Sequence, residues 1–333
     1  MSKKNSCSAN LASVGGQALI EGVMMNGPRG SVISVRKKDK EIVTEPVSFP
    51  HVRDKVKFLG WPFIRGVVNY VETMILGYKT LMRSAELSGQ LEDEEDPEKM
   101  SKLDRWLSDH MGPKLMGVLT GAASVLAILL GVFLFVYLPT FLMDLVDEHL
   151  FGGVLKNYHA LFECLIRALI IVLYMLAVSK MKDIHRVFMY HGAEHKSIFC
   201  YERGLPLTVE NVRSCKRFHP RCGTSFIFVI IIVSMIVSSV VSVLFPVLND
   251  SAYRLLWIAV KIFVILPVVT GISYEFIKYA GRHDNLFTKI VSAPGLWMQR
   301  ITTAEPTDDM IEVAIASIRA VVPEDQDAQK QEE

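Results

Sequence analysis

Two histidines and a glutamate lie close together in the polar stretch His191-Gly-Ala-Glu194-His195-Lys196. Side chains four residues apart share one face of an α-helix, so a helix here would point His191 and His195 in the same direction. Glu194 falls on the same side, about 60° away. Nitrogen donors beside a carboxylate suit zinc or a related transition metal. In this HxxEH pattern the histidines hold the metal and the glutamate acts as general base on water.

A catalytic metal site needs a third protein ligand and one open position, and three residues are candidates. His219 and Cys222 precede a long apolar run, and using both would close the shell and indicate a structural site. Glu275 ends another apolar run and would complete a hydrolytic set of two histidines and a glutamate. We favour His219 or Glu275 as the third ligand; Cys222 is a further ligand or, with less support, a thiolate nucleophile. Gly192 weighs against a rigid helix.

Four apolar runs of membrane-spanning length surround the motif, at residues 116–138, 160–178, 226–248 and 255–276. A span needs about 20 mostly apolar residues. The composition, 50% hydrophobic, is too apolar for an ordinary soluble enzyme. The sequence therefore predicts a mainly α, polytopic membrane protein with four transmembrane helices.

The net charge of +1 hides an asymmetric distribution of cationic residues. Residues 180–221, between the second and third spans, contain nine Lys and Arg residues. The two short loops contain only Lys156 and Arg254. Because cationic loops stay on the cytoplasmic side, both termini and the central loop are predicted to be cytoplasmic.

The remaining chain divides by composition into two cytoplasmic regions and two tails. Residues 15–110 form an N-terminal region, with a β-hairpin predicted from the alternating residues 31–36 and 41–49. An amphipathic helix follows at 63–87, expected to pack on protein rather than to lie in the membrane interface. The other predicted units are disordered tails at 1–14 and 323–333, a membrane domain at 111–280 with its motif loop at 179–225, and a C-terminal region at 281–322.

Three charged residues interrupt the apolar runs. Glu163 and Arg167 are i, i+4 partners in the second span, and Lys261 lies in the fourth. Ionisable groups at membrane depth are costly unless paired. They predict a buried ion pair that locks the bundle, with a polar pathway for a substrate or ion as the alternative.

Several segments together resemble the YqhQ-like family of bacterial membrane proteins. The resemblance covers about residues 13–320 and rests on Gly15-Gly-Gln-Ala-Leu-Ile-Glu-Gly-Val-Met-Met25, His191-Gly-Ala-Glu-His-Lys196, His219-Pro-Arg-Cys-Gly-Thr-Ser-Phe226, Pro294-Gly-Leu-Trp-Met-Gln299 and Asp308-Asp-Met-Ile-Glu-Val-Ala-Ile315. The family is of unknown function and is described as predicted metal-dependent enzymes. The resemblance thus implies a metal but no substrate.

The expected function is that of a metal-dependent hydrolase at the cytoplasmic membrane surface, with a peptide or lipid-linked substrate and a divalent metal, zinc being the expected one. Its partner is the lipid bilayer, and no nucleic-acid partner is expected. The alternative is a non-enzymatic scaffold in which His191, His195, His219 and Cys222 form a closed structural site. A small transporter is the weakest alternative, because four spans without an internal repeat are unlike duplicated transporters.

The charge distribution makes a topology prediction. A reporter fused after residue 205 should behave as cytoplasmic, and one fused after residue 152 as external, because only the central loop, residues 180–221, is rich in Lys and Arg. Paired alkaline phosphatase and fluorescent-protein fusions measure this. The reverse pattern would place the metal motif outside the cell.

Overall fold

The structure, a computed structural model, describes residues 14–48, 56–61, 64–90, 113–219, 222–245, 247, 253–280 and 285–323. Its strands are β1 (Gly15–Leu19), β2 (Gly22–Gly27), β3 (Gly30–Arg36) and β4 (Ile42–Val47). Its α-helices are α1 (Ile64–Leu87), α2 (Pro113–Val132), α3 (Leu138–Leu150), α4 (His159–Val178), α5 (Lys182–Glu202), α6 (Val209–Ser214), α7 (Gly223–Leu244), α8 (Arg254–Val260), α9 (Leu266–Ala280), α10 (Leu286–Thr302) and α11 (Asp308–Val321). The predicted tails, 1–14 and 323–333, lie almost wholly outside the described residues.

Four continuous helical segments are long and apolar enough to cross a membrane: Gly121–Leu150, His159–Val178, Ile227–Leu244 and Leu255–Phe276. The first and fourth each contain a π-helical turn, at Phe133–Tyr137 and Lys261–Ile265. The prediction of four spans is confirmed. The first of these segments continues to Leu150, beyond residue 138, where the predicted span ended. The polar residues after 138 end the apolar run, but they do not end the helix.

The N-terminal region forms a four-stranded antiparallel sheet in the order β1-β2-β3-β4. The predicted hairpin corresponds to β3 and β4, and two further strands precede it. Strand β2 escaped the sequence analysis because both of its faces are buried: Val23 and Met25 face one core and Met24 the other. A strand buried on both sides reads as a continuous apolar run without alternation.

The sheet is covered on both faces. Helices α5 and α11 share one apolar core with β2 and β3, and α1 packs on the opposite face through Leu76 and Leu81. In the sequence, the sheet precedes the first span, α5 lies between the second and third, and α11 follows the fourth. Segments that share one core cannot be separated by a bilayer. The sheet, α5 and α11 therefore lie on the same side of the membrane.

A buried ion cluster joins the spans near the end that lies away from the sheet. Glu163 of α4 accepts hydrogen bonds from Lys261 Nζ and Arg167 Nη2, both at 2.6 Å. Lys261 also donates to the hydroxyl of Thr140 in α3, at 3.2 Å. The carboxylate thus lies between two cations and connects three helical segments, an arrangement that favours the locking role expected from the sequence.

Removing this carboxylate should destabilise the bundle. Glu163→Gln leaves two cations without their shared anion, and we expect a loss of unfolding free energy on the order of 3 kcal/mol. Thermal unfolding in detergent micelles measures it. The control is Glu148→Gln, an exposed glutamate in α3. Equal stability of the two variants would show that the cluster does not hold the spans together.

Candidate metal centre

Helix α5 carries the HxxEH motif at its middle. Asp183 lies in its first turn, where the helix dipole favours an acid, and the chain leaves the helix at Gly204, whose φ is +69°. Gly192 is explained by a close approach: a Cβ there would lie 2.0 Å from the carbonyl oxygen of Ala304. The backbone N–H of Ala304 also donates to the carbonyl oxygen of Phe188, at 2.9 Å. The glycine lets the segment after α10 lie directly on α5.

Both motif imidazoles are oriented by backbone carbonyl oxygens. Nδ1 of His191 lies 2.8 Å from the carbonyl oxygen of Thr302, and Nδ1 of His195 lies 2.5 Å from that of Arg217. A carbonyl oxygen can only accept, so Nδ1 of each ring carries the proton and Nε2 carries the lone pair. This is how metal-binding histidines are commonly held.

The thiol of Cys222 completes a group of three donors. Nε2 of His191 lies 3.2 Å from Cys222 Sγ, and one donor atom each from His191, His195 and Cys222 all lie within 4.8 Å of one another. Nε2 of His195 is buried and has no hydrogen-bond partner in the described part of the chain. Burial lowers the pKa of His195 to about 2, so its ring is neutral. Two nitrogens and a sulfur in this arrangement fit a tetrahedral zinc-like ion with a fourth position open.

The loop that delivers Cys222 is fixed by a side-chain amide. Gln299 of α10 is fully buried, accepts from the backbone N–H of His219 at 2.7 Å and donates to its carbonyl oxygen at 2.8 Å. The clamp sets the backbone three residues before Cys222, at the start of α7. Sequence reasoning missed Gln299: it belongs to a segment that carried the family resemblance, but no spacing rule marks it.

His219 and Glu275, the favoured third ligands, have other contacts. The His219 ring packs against Phe199 at 4.6 Å between centroids, and its Nε2 lies 3.3 Å from Glu202 Oε2. Both carboxylate oxygens of Glu275 accept hydrogen bonds from Arg65 of α1, at 2.6 Å each. The structure therefore brings Cys222 to the two motif histidines, and neither His219 nor Glu275 belongs to the group of three.

Glu194 projects into the same region with its carboxyl group buried. Burial raises the pKa of Glu194 to about 8, the net result after His191 lowers it and Cys222 adds a small upward contribution. Its Oε2 has no hydrogen-bond partner among the described residues. A Cβ on Gly16 of β1 would lie 3.0 Å from Oε1, so the glycine leaves room for the carboxyl. A carboxyl with a pKa near neutrality is suited to proton transfer.

Comparison with known proteins confirms the resemblance. The model of a family described as "protein of unknown function (DUF1385)" matches residues 61–324. The uncharacterized protein YqhQ of Bacillus subtilis (strain 168) is 36% identical over 312 residues, which cover 92% of this chain and 92% of that protein. No solved structure gives a significant match. The chain belongs to this YqhQ-like DUF1385 family, whose function is unknown.

Proposed function

We propose that this protein is a metal-dependent hydrolase of the bacterial inner membrane, acting at the cytoplasmic surface on a peptide or lipid-linked substrate. The observation that carries the proposal is the convergence of His191, His195 and Cys222 beside the buried carboxyl of Glu194. Three protein donors leave one coordination position for water or substrate, as catalytic zinc sites do.

The side chains present fit a metal on independent grounds. A buried imidazole nitrogen without a partner, as at His195 Nε2, costs free energy unless something binds it. Both rings also present the nitrogen that a metal requires, because their Nδ1 atoms are committed to carbonyl oxygens. The donor set of two nitrogens and one sulfur favours zinc over magnesium or calcium.

The residues divide the chemistry among them. When bound, a zinc-like ion supplies Lewis acidity, which polarises a substrate oxygen and acidifies water. In its ionised form, Glu194 accepts a proton from the attacking water and returns it to the leaving group. The carbonyl oxygens of Thr302 and Arg217 hold the two imidazoles in position throughout.

The location supports a substrate at the membrane surface. Cys222 directly precedes α7, whose residues 227–244 form the third span, so the donor group lies at the end of a membrane helix. His191 and Cys222 are partly exposed, which leaves an approach from that side. The cationic central loop supports the cytoplasmic assignment.

A structural metal site is the second candidate function. It is favoured by the burial of His195 and Glu194, which are 1% and 4% exposed and restrict the approach of a substrate. In that case the metal would fix the loop before α7 against α5, and Glu194 would have no proton to transfer.

Metal content tests the donor group. Purified protein should carry about one zinc-like ion, and His191→Ala with His195→Ala should abolish binding, whereas Cys222→Ala should weaken it by about 10-fold or more. Glu275→Gln should leave metal affinity unchanged, because that carboxylate binds Arg65. Elemental analysis with chelator competition measures both. Metal lost in Glu275→Gln and kept in Cys222→Ala would contradict this donor set.

Glu194→Gln separates hydrolase from scaffold. The amide keeps the size of the side chain but cannot take up a proton, so the variant should fold and bind metal normally and yet fail to complement a deletion strain, with a loss of about 10²-fold or more in activity. The exposed Glu210→Gln in α6 is the control. Full complementation by Glu194→Gln would refute the hydrolase and leave the structural site.

A further inference from the structure

Helix α1 presents a continuous apolar face that points away from the described parts of the protein. Its members are spaced three or four residues apart and are 37–66% exposed: Val71, Met74, Ile75, Tyr78 and Met82. We call these five residues the outer face of α1. A contiguous apolar surface of this kind marks an interaction site.

The side of α1 that faces the protein combines small and polar residues with Leu76 and Leu81, which pack on the sheet. The small or polar residues buried there are Gly66, Gly77, Thr80 and Ser84. A Cβ on Gly77 would lie 3.0 Å from the amide oxygen of Gln17 in β1, and the Ser84 hydroxyl accepts from the backbone N–H of Ile20 at 3.2 Å. Small residues toward protein and large apolar residues outward are typical of helices that contact lipid.

The start of α1 touches the membrane bundle itself. A Cβ on Gly66 would lie 2.9 Å from the Cα of Gly271, which belongs to the fourth span. One residue earlier, Arg65 holds Glu275 near the end of that span. Trp61, just before the helix, is 63% exposed, and such aromatic residues concentrate at membrane–water interfaces. The start of α1 therefore lies directly against the fourth span, with the outer face on the side of the helix turned away from this contact.

A third side of α1 is charged. Lys79, Arg83 and Glu86 are exposed beside the outer face, and Arg83 binds Glu45 of β4 at 2.8 Å. Helix α1 thus has one side packed against protein, one exposed apolar side and one charged side. This is the pattern of a helix that lies in the plane of a membrane surface.

We propose that the outer face of α1 is inserted into the headgroup–acyl boundary of the bilayer, so that its partner is membrane lipid. The face extends over about 17 Å of helix. Because α1 holds β1 through Gln17, and Gly16 of β1 lies against Glu194, a lipid-bound α1 fixes the sheet and the candidate metal centre at the bilayer surface. The proposal stands whether or not a metal binds.

Photo-crosslinking in lipid tests this contact. Benzoylphenylalanine is placed at Tyr78 or at Lys79 in the full-length protein, which is reconstituted into phosphatidylcholine–phosphatidylglycerol vesicles, irradiated and weighed by intact-mass spectrometry. The two positions are neighbours in sequence but about 100° apart around the helix. We expect a phospholipid adduct at Tyr78, roughly five-fold or more above the yield at Lys79.

A second pair of probes, at Met74 and at Glu86, provides the same comparison if a variant of the first pair misfolds. Only variants that elute as folded protein in size-exclusion chromatography are compared. A crosslinked dimer from the outer-face positions would assign the face to a second copy of the chain and overturn the proposal. Equal lipid yields at outer-face and charged positions, or none at the outer face, would overturn it as well.

Discussion

The apolar core shared by the sheet, α5 and α11 is the constraint on which the rest of the structure depends. Its components come from before, between and after the membrane spans, so the fold requires an even number of crossings between each of them. Helix α5, one component of this core, also contacts the segment following α10, and this contact is possible only because residue 192 is glycine. Helix α5 therefore links the core, which constrains the membrane topology, to the candidate site.

The candidate site is held by backbone more than by side chains. Carbonyl oxygens of Thr302 and Arg217, from two distant parts of the sequence, orient the histidines, and a buried amide at Gln299 positions the loop before Cys222. Carbonyl oxygens are contributed by every residue type, so substitutions at 302 or 217 can leave these hydrogen bonds intact. His191, His195 and Cys222 cannot be substituted in this way, because their side chains supply the donor atoms.

Much of this architecture was predictable from sequence, and the limits have physical reasons. The four spans follow from apolar length, and the HxxEH face follows from helical spacing. The choice of Cys222 over His219 or Glu275 did not follow, because it depends on the Gln299 clamp and on Arg65, residues far away in the chain. Strand β2 was hidden because burial on both faces erases the alternation that identifies a strand.

The position of α11 in the chain affects biosynthesis. This helix covers one face of the sheet and closes the core, yet it is translated after all four spans. Until it emerges from the ribosome, the sheet and α5 expose apolar surface to water, where chaperones and proteases recognise unfinished proteins. A chain interrupted before residue 308 would therefore have its four spans but would leave the apolar faces of the sheet and α5 without the helix that covers them.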